Sequence, residues 1–273
     1  MKYSIEQLRE MVNGDNQKKL PKILIFDIET APMQAFVWKR FKENISLEQT
    51  ISESYMLCWS AKWLYSEEVL GDVLTPEEAK SEDDYRIVLS LYNLINEADI
   101  IVAYNGKNFD IPYMNQRFLV YDFAPYVPVH VVDPYETAKN VFRFSSNKMD
   151  NIATQLGLQN KIKTDFNLWK NCVNGQKEAL NSMLEYNKQD VVVLEEIYCR
   201  ILPWIKNHPN ISNYLEDKNT CIKCGSEDLI KLNRYFYTPS GRYELYRCRH
   251  CGSIFRGKKN LNKTAVPFIN CSH

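Results

Sequence analysis

Two kinds of residue in this chain are spaced for chemistry: acids at the ends of apolar runs, and cysteines in C-x-x-C pairs. Asp27-Ile28-Glu29 closes the compact apolar run Lys22 to Ile28. If that run is a buried strand, residues two apart point to the same side and both carboxylates can reach one ion. Asp110 follows a second apolar run, Ile100–Tyr104, and Asp190 follows Tyr186 by four residues in a periodic segment. Four residues apart on a helix is one face, so the phenol and the carboxylate would stand together. Each acid taken singly has an ordinary alternative: a strand-end charge for Glu29, a cap or turn for Asp110, a solvated helical acid for Asp190. Together they offer oxygen-only ligation, which suits hard divalent cations such as Mg²⁺ or Mn²⁺.

The cysteines point to different chemistry. Of the eight, Cys221, Cys224, Cys248 and Cys251 form two C-x-x-C-G knuckles separated by 23 residues. Four thiolates close a zinc tetrahedron and leave no open position for catalysis, so the expected site is structural. The glycine after each pair lets the backbone turn around the sulfur. Cys58, Cys172, Cys199 and Cys271 are scattered and read as ordinary reduced thiols. His250 lies inside the second knuckle, but four cysteines already suffice.

Three segments carry a family resemblance. Phe26-Asp27-Ile28-Glu29-Thr30, Tyr104-Asn105-Gly106-Lys107-Asn108-Phe109-Asp110-Ile111-Pro112-Tyr113 and Tyr186-Asn-Lys-Gln-Asp190 resemble, in order and spacing, the exonuclease motifs of the DEDD superfamily. The tyrosine marks the branch, and the proofreading domains of family B DNA polymerases are the nearest likeness. The resemblance spans about residues 22–203. It implies an α/β, ribonuclease H-like fold with a mixed five-stranded sheet flanked by helices. It also implies that Asp27, Glu29 and Asp190 hold one Mg²⁺ or Mn²⁺, that Asp27 bridges to a second held by Asp110, and that Tyr186 orients the attacking water. Thr30, Asn105 and Phe109 adjoin these residues and are candidate contacts for the terminal nucleotide. The knuckles resemble a zinc ribbon, with Leu229–Tyr237 and Tyr243–Arg247 as strands around a turn at Thr238-Pro-Ser-Gly241.

Composition is consistent with this division. Residues 218–273 hold 11 basic against three acidic residues, a balance of +8, which leaves −8 for residues 1–217. A carboxylate-built metal site suits the acidic body, and contact with a polyanion suits the basic end. In the ribbon, Tyr235, Tyr237, Tyr243 and Tyr246 interleave with Arg234, Arg242, Arg247 and Arg249, a pattern fitted to stacking and phosphate pairing. Lys161, Lys163 and Lys170 are further candidates for phosphate contact. No apolar run approaches the roughly 20 residues that span a bilayer. The charged N-terminus lacks a signal peptide's apolar stretch. A cytoplasmic protein with no membrane partner is expected.

The element pattern must deliver these residues to one place. Residues 3–19 read as an amphipathic helix within an N-terminal extension at 1–20. Strands are expected at Lys22–Ile28, Tyr55–Tyr65, Glu68–Leu74, Ile100–Tyr104 and Val127–Val132. Helices are expected from Thr75-Pro76, over 83–97, from Pro112 to Leu119, over 148–156 ending at Gly157, and over Lys177–Leu202, which Pro203 stops. The segment 158–175 reads as irregular, and Ala31–Ser54 is longer than a strand connection needs. The nuclease domain is expected at 21–205, a linker at 206–219, the zinc ribbon at 220–260 and a tail at 261–273. Nothing after residue 203 is long enough for a polymerase palm. The reading is therefore a stand-alone 3′-to-5′ exonuclease acting on nucleic acid with a free 3′ end, single-stranded DNA above all, with two Mg²⁺ or Mn²⁺ and one structural Zn²⁺. The alternatives are an RNA-processing or structure-specific nuclease with the same site, or an end-binding module that does not cut. A protein partner could dock on the ribbon.

Overall fold

The apolar run after Lys22 forms the first strand, β1 (Ile23–Thr30), in a computed structural model that describes residues 20–158, 164–216 and 219–262. Alternation along β1 sets its two faces. Leu24, Phe26 and Ile28 join Ile87, Leu91 and Met114 in one buried cluster, so Asp27 and Glu29 take the opposite face. The helix expected at 3–19 lies outside the described residues, as do Lys161, Lys163 and most of the tail.

After β1 the chain makes a small two-stranded sheet from β2 (Gln34–Ala35) and β3 (Thr50–Ser52). Next come β4 (Met56–Trp63), β5 (Leu70–Val73), helix α1 (Pro76–Ser81) and helix α2 (Tyr85–Ile95). Thr75 caps α1 through a capping box with Glu78, as Thr-Pro-Glu-Glu foretells. Then follow β6 (Ile100–Val102), α3 (Asp110–Val120), β7 (His130–Val132), α4 (Pro134–Val141), α5 (Met149–Leu156), α6 (Phe166–Val173) and the long α7 (Lys177–Ile201).

The main sheet is mixed and five-stranded, in the order β5-β4-β1-β6-β7. β1 pairs antiparallel with β4 and parallel with β6, and β7 extends the parallel side. This is the ribonuclease H-like architecture the motifs led us to expect. The pairing of β1 with β6 stops at Ile25 opposite Val102, so the second half of β1 runs on beyond its parallel neighbour. Asp27 and Glu29 lie on that free half.

Three local readings are corrected, and one helix is added where no element was expected. The stretch 158–175 is not irregular throughout: Asp165 caps α6 by accepting the Asn167 N–H at 2.9 Å, and Cys172 is buried. Helix α4 arises from Asp133-Pro134, a cap followed by proline at the first helical position. α3 starts at Asp110, two residues before Pro112, because a proline within the first turn breaks no intrahelical bond. β7 is shorter than Val127–Val132, since Pro128 has no N–H to give to a ladder.

One buried ion pair ties the sheet to the last helix. Lys62 on β4 and Glu195 on α7 are 3% and 1% exposed, and the ammonium donates to the carboxylate. Glu195 also accepts the Tyr65 N–H at 2.9 Å.

The chain divides into two units, Lys22–Tyr198 and a second that runs from Cys199 onward and takes in Leu20 and Pro21. The second carries a three-stranded antiparallel sheet, order β10-β9-β8, from β8 (Leu229–Thr238), β9 (Gly241–Cys248) and β10 (Ile254–Arg256). The third strand adds to the hairpin read from sequence. Ile205, Ile211 and Leu215 are buried in the same unit.

Candidate active site

The acids of β1 meet α7 across one cavity. Asp27, Glu29 and Asp190 each offer an oxygen within 4.8 Å of the others, with Asp190 buried and the β1 pair partly so. The cavity, about 260 Å³, is lined by these three with Asp110, Tyr186, Tyr104, Asn105, Phe109, Ile28 and Met149. An oxygen-only donor set this crowded fits a hard divalent cation, which would offset the mutual repulsion of the carboxylates. Asp110 lines the cavity but stands outside the closest triad.

The local geometry of Asp110 follows from the topology. Because β6 ends at Val102, the Ile28 N–H has no strand partner there, and Asp110 Oδ1 accepts it at 3.2 Å. Asp110 is 2% exposed. Its burial pushes the carboxyl up to about 7, against the lowering effect of the Ile28 N–H, and the charge of Asp133 adds to the rise. A cation in the cavity would favour the ionised form instead.

Two residues that sequence reasoning passed over hold the site in shape. Asn187 on α7 is fully buried and donates from Nδ2 to Asp27 Oδ2 at 2.7 Å, linking the helix to the strand acid. Asp133, at the N-terminus of α4, accepts the N–H groups of Asn105 at 2.9 Å, Lys107 at 3.4 Å and Tyr135 at 3.0 Å. Burial raises the Asp133 carboxyl above its ordinary range. The signals were an asparagine on the inner face of a helix and an Asp-Pro cap.

The remaining candidates also take definite places. Asn105 has a positive φ of 58°, which asparagine tolerates, and its Oδ1 accepts Asn108 Nδ2 at 2.9 Å. At Gly106 an added Cβ would stand 2.3 Å from Ala103 Cβ, so only glycine fits this turn. Phe109 is 45% exposed at the cavity, stacked against Tyr113 with centroids 6.0 Å apart. Tyr186 meets Trp169 edge-on at 6.2 Å. Thr30 ends β1 just past a bulge and is not among the residues lining the cavity. Lys170 is exposed on α6, its ammonium 5.6 Å above the Phe166 ring.

A family profile for the RNase_H superfamily matches residues 64–202, half of the chain. The chain belongs to the RNase_H superfamily. That membership supports a nuclease, a phosphodiester hydrolase, in general terms. The matched span holds Asp110, Tyr186 and Asp190, whereas Asp27 and Glu29 precede it. Among solved structures, this RNase_H superfamily chain is similar to the family B DNA polymerase from the hyperthermophilic archaeon Pyrobaculum calidifontis. The two share 15% identity over 83% of this chain at a TM-score of 0.49, and the chain spans 33% of the polymerase. A search of curated proteins found no match.

The second unit gathers the four knuckle cysteines. Their sulfurs lie within 4.8 Å of one another, with Cys221–Cys251 at 3.6 Å and Cys224–Cys248 at 3.7 Å. A disulfide needs about 2 Å, whereas the edge of a zinc–thiolate tetrahedron with bonds of about 2.3 Å is close to these separations. The knuckles repeat one pattern: the Gly225 N–H donates to Cys221 O at 2.9 Å and the Gly252 N–H to Cys248 O at 3.0 Å. Both glycines have positive φ, 75° and 81°. Of the interleaved tyrosines and arginines, Arg242 lies 4.9 Å over the Tyr235 ring; Arg256 of β10, outside that set, lies 4.1 Å over Tyr243. Among the described residues no helix is long and apolar enough to cross a membrane.

Proposed function

We propose that this chain is a metal-dependent 3′-to-5′ exonuclease of the tyrosine-containing DEDD branch, removing nucleotides from the 3′ ends of single-stranded DNA. The observation that carries the reading is the convergence of Asp27, Glu29 and Asp190 within 4.8 Å, in a cavity that Asp110 and Tyr186 also line. In this reading Asp27, Glu29 and Asp190 would hold one Mg²⁺ or Mn²⁺, and Asp110 with Asp27 would hold a second. Such a pair would supply an activated water and charge stabilisation at the phosphate and the departing 3′ oxygen.

The chain's own residues do the positioning. Asn187 fixes the rotamer of Asp27. Tyr186 lines the cavity beside the acids and would orient the attacking water through its hydroxyl, with proton abstraction left to the ions. Asn105 and Phe109 form the cavity wall where a terminal sugar and base would rest, with Thr30 at the strand end. Within this reading the nuclease domain occupies 21–205, a linker 206–219 and a zinc ribbon 220–260, with Cys221, Cys224, Cys248 and Cys251 around one structural Zn²⁺. The ribbon's arginine-backed tyrosines suit contact with nucleic acid or a protein partner.

The test uses 5′-labelled single-stranded oligonucleotides and matched closed circles, with Mg²⁺ or Mn²⁺. Stepwise shortening from the 3′ end with intact circles supports the proposal. Cutting of circles would instead mean an endonuclease, and equal shortening by an Asp27→Ala variant would move the activity elsewhere. A matched RNA strand degraded faster than DNA would reassign the substrate.

A further inference from the structure

The segment between β1 and β4 contributes nothing to the acid site, yet it displays an unusual surface. Phe36-Val37-Trp38-Lys39-Arg40-Phe41-Lys42 interleaves aromatic with basic side chains. Trp38 is 94% exposed, Phe41 80% and Phe36 73%. Large rings left in water cost roughly 25 cal/mol per Å² of apolar surface, and a contiguous patch of them marks a contact surface.

The backbone under these rings is braced. The Glu43 carboxylate accepts the N–H groups of Trp38 at 3.0 Å and Lys39 at 2.8 Å. Gln49 Nε2 donates to Phe36 O at 3.0 Å and to Glu43 Oε1 at 3.3 Å, while the Ser46 N–H donates to Gln49 Oε1 at 3.0 Å. The loop's root is joined to the strand and helix that carry the acids. The Ala31 N–H donates to Tyr55 O at 2.8 Å, Ser54 Oγ donates to Ala31 O at 2.6 Å, and Tyr113 of α3 donates to Ser54 Oγ at 3.0 Å.

We propose that the 36–42 loop is a platform for single-stranded nucleic acid, with Trp38 and Phe41 stacking on bases while Lys39, Arg40 and Lys42 pair with phosphates. Charge decides the class of occupant. Residues 1–217 carry a balance of −8, so three cations within four positions form a local positive island on an acidic body. Protein interface cores are depleted in lysine, whereas sequence-tolerant strand binding combines cations with exposed rings. The inference rests on the nuclease reading and deepens it: the loop grips the strand outside the catalytic cavity.

The test is a binding titration of the full-length protein against a fluorescein-labelled 12-nucleotide dT strand, with magnesium and manganese omitted so that nothing is cut. Stacking is worth about 1–3 kcal/mol per base, so Trp38→Ala/Phe41→Ala should weaken binding by roughly 30-fold or more. Trp38→Phe, which keeps a ring, should retain most of the affinity. Lys39→Gln/Arg40→Gln/Lys42→Gln should flatten the salt dependence by about 2 in logarithmic slope, at about 0.7 per phosphate contact. Thermal melts identify a variant that fails to fold, and the Trp38→Phe and triple-glutamine proteins then decide. Wild-type affinity in both the ring-deleted and charge-deleted proteins overturns the proposal and leaves the rings to a protein partner. Absence of binding by the intact protein overturns it as well. The two readings fail separately: strand binding without any 3′ shortening sinks the nuclease, and shortening without a contribution from the loop sinks the platform.

Discussion

At the scale of single residues, three carboxylates share a space that a cation would make tolerable, so the predicted effects are steep. Asp27→Ala or Asp190→Ala should lower the cleavage rate by about 10² to 10³, roughly 2–4 kcal/mol of barrier, measured under single-turnover conditions. Asn187 acts through Asp27. Asn187→Leu should therefore shift the Mg²⁺ concentration needed for half-maximal rate upward by about 10- to 100-fold, and leave less of a defect at saturating metal. Asp110 gives a pH signature. Its carboxyl holds a proton up to about 7 in the fold, while an unfolded chain releases it near the ordinary value of 3.8. Between those values the folded state binds more protons, so stability in metal-free protein falls as pH rises from about 4 to 7. Asp110→Asn should flatten that slope in melts recorded from pH 5 to 8. An unchanged slope would mean that the buried carboxyl is already balanced by another charge.

At the scale of elements, the turn from β6 into α3 is the most constrained connection in the site. Gly106→Ala would force a Cβ to 2.3 Å from Ala103 and displace the segment that carries Asn105, Phe109 and Asp110. A loss of about 1–3 kcal/mol in urea unfolding is expected, with a larger proportional loss of cleavage. In the second unit, Cys224→Ser should abolish bound zinc, read as about one ion per chain in the wild type by a chromogenic chelator after thiol modification. Much of this was legible beforehand. The two-residue period put Asp27 and Glu29 on one face, the four-residue period joined Tyr186 to Asp190, and the paired knuckles grouped four sulfurs. What stayed hidden depended on tertiary context. Helix α6 is eight residues long, too short for its period to stand out beside its Asp165 cap. Asn187 looked like any helical polar residue until the strand acid opposite it was known. The 31–54 stretch carries no period because its rings face water.

At the scale of the whole molecule, divalent metal should stabilise the fold by binding the native acids alone. Protein dialysed free of Mg²⁺ and Mn²⁺ should melt lower than protein at saturating Mg²⁺, and the difference should vanish in Asp190→Ala. Identical melts for the wild type would argue against an ion at this cavity. The buried Lys62–Glu195 pair has a bearing on the same site. Glu195 sits five positions beyond Asp190 on one continuous helix, so it fixes how far that rod slides along the sheet. A slip of a single residue would advance the helix about 1.5 Å and rotate it about 100°, carrying Asp190 away from Asp27. Ion pairing at one point and the Asn187 amide at another therefore act as two dowels that set axial alignment. Exchanging both Lys62 and Glu195 for apolar residues of like volume should preserve melting temperature while broadening the distribution of metal affinities.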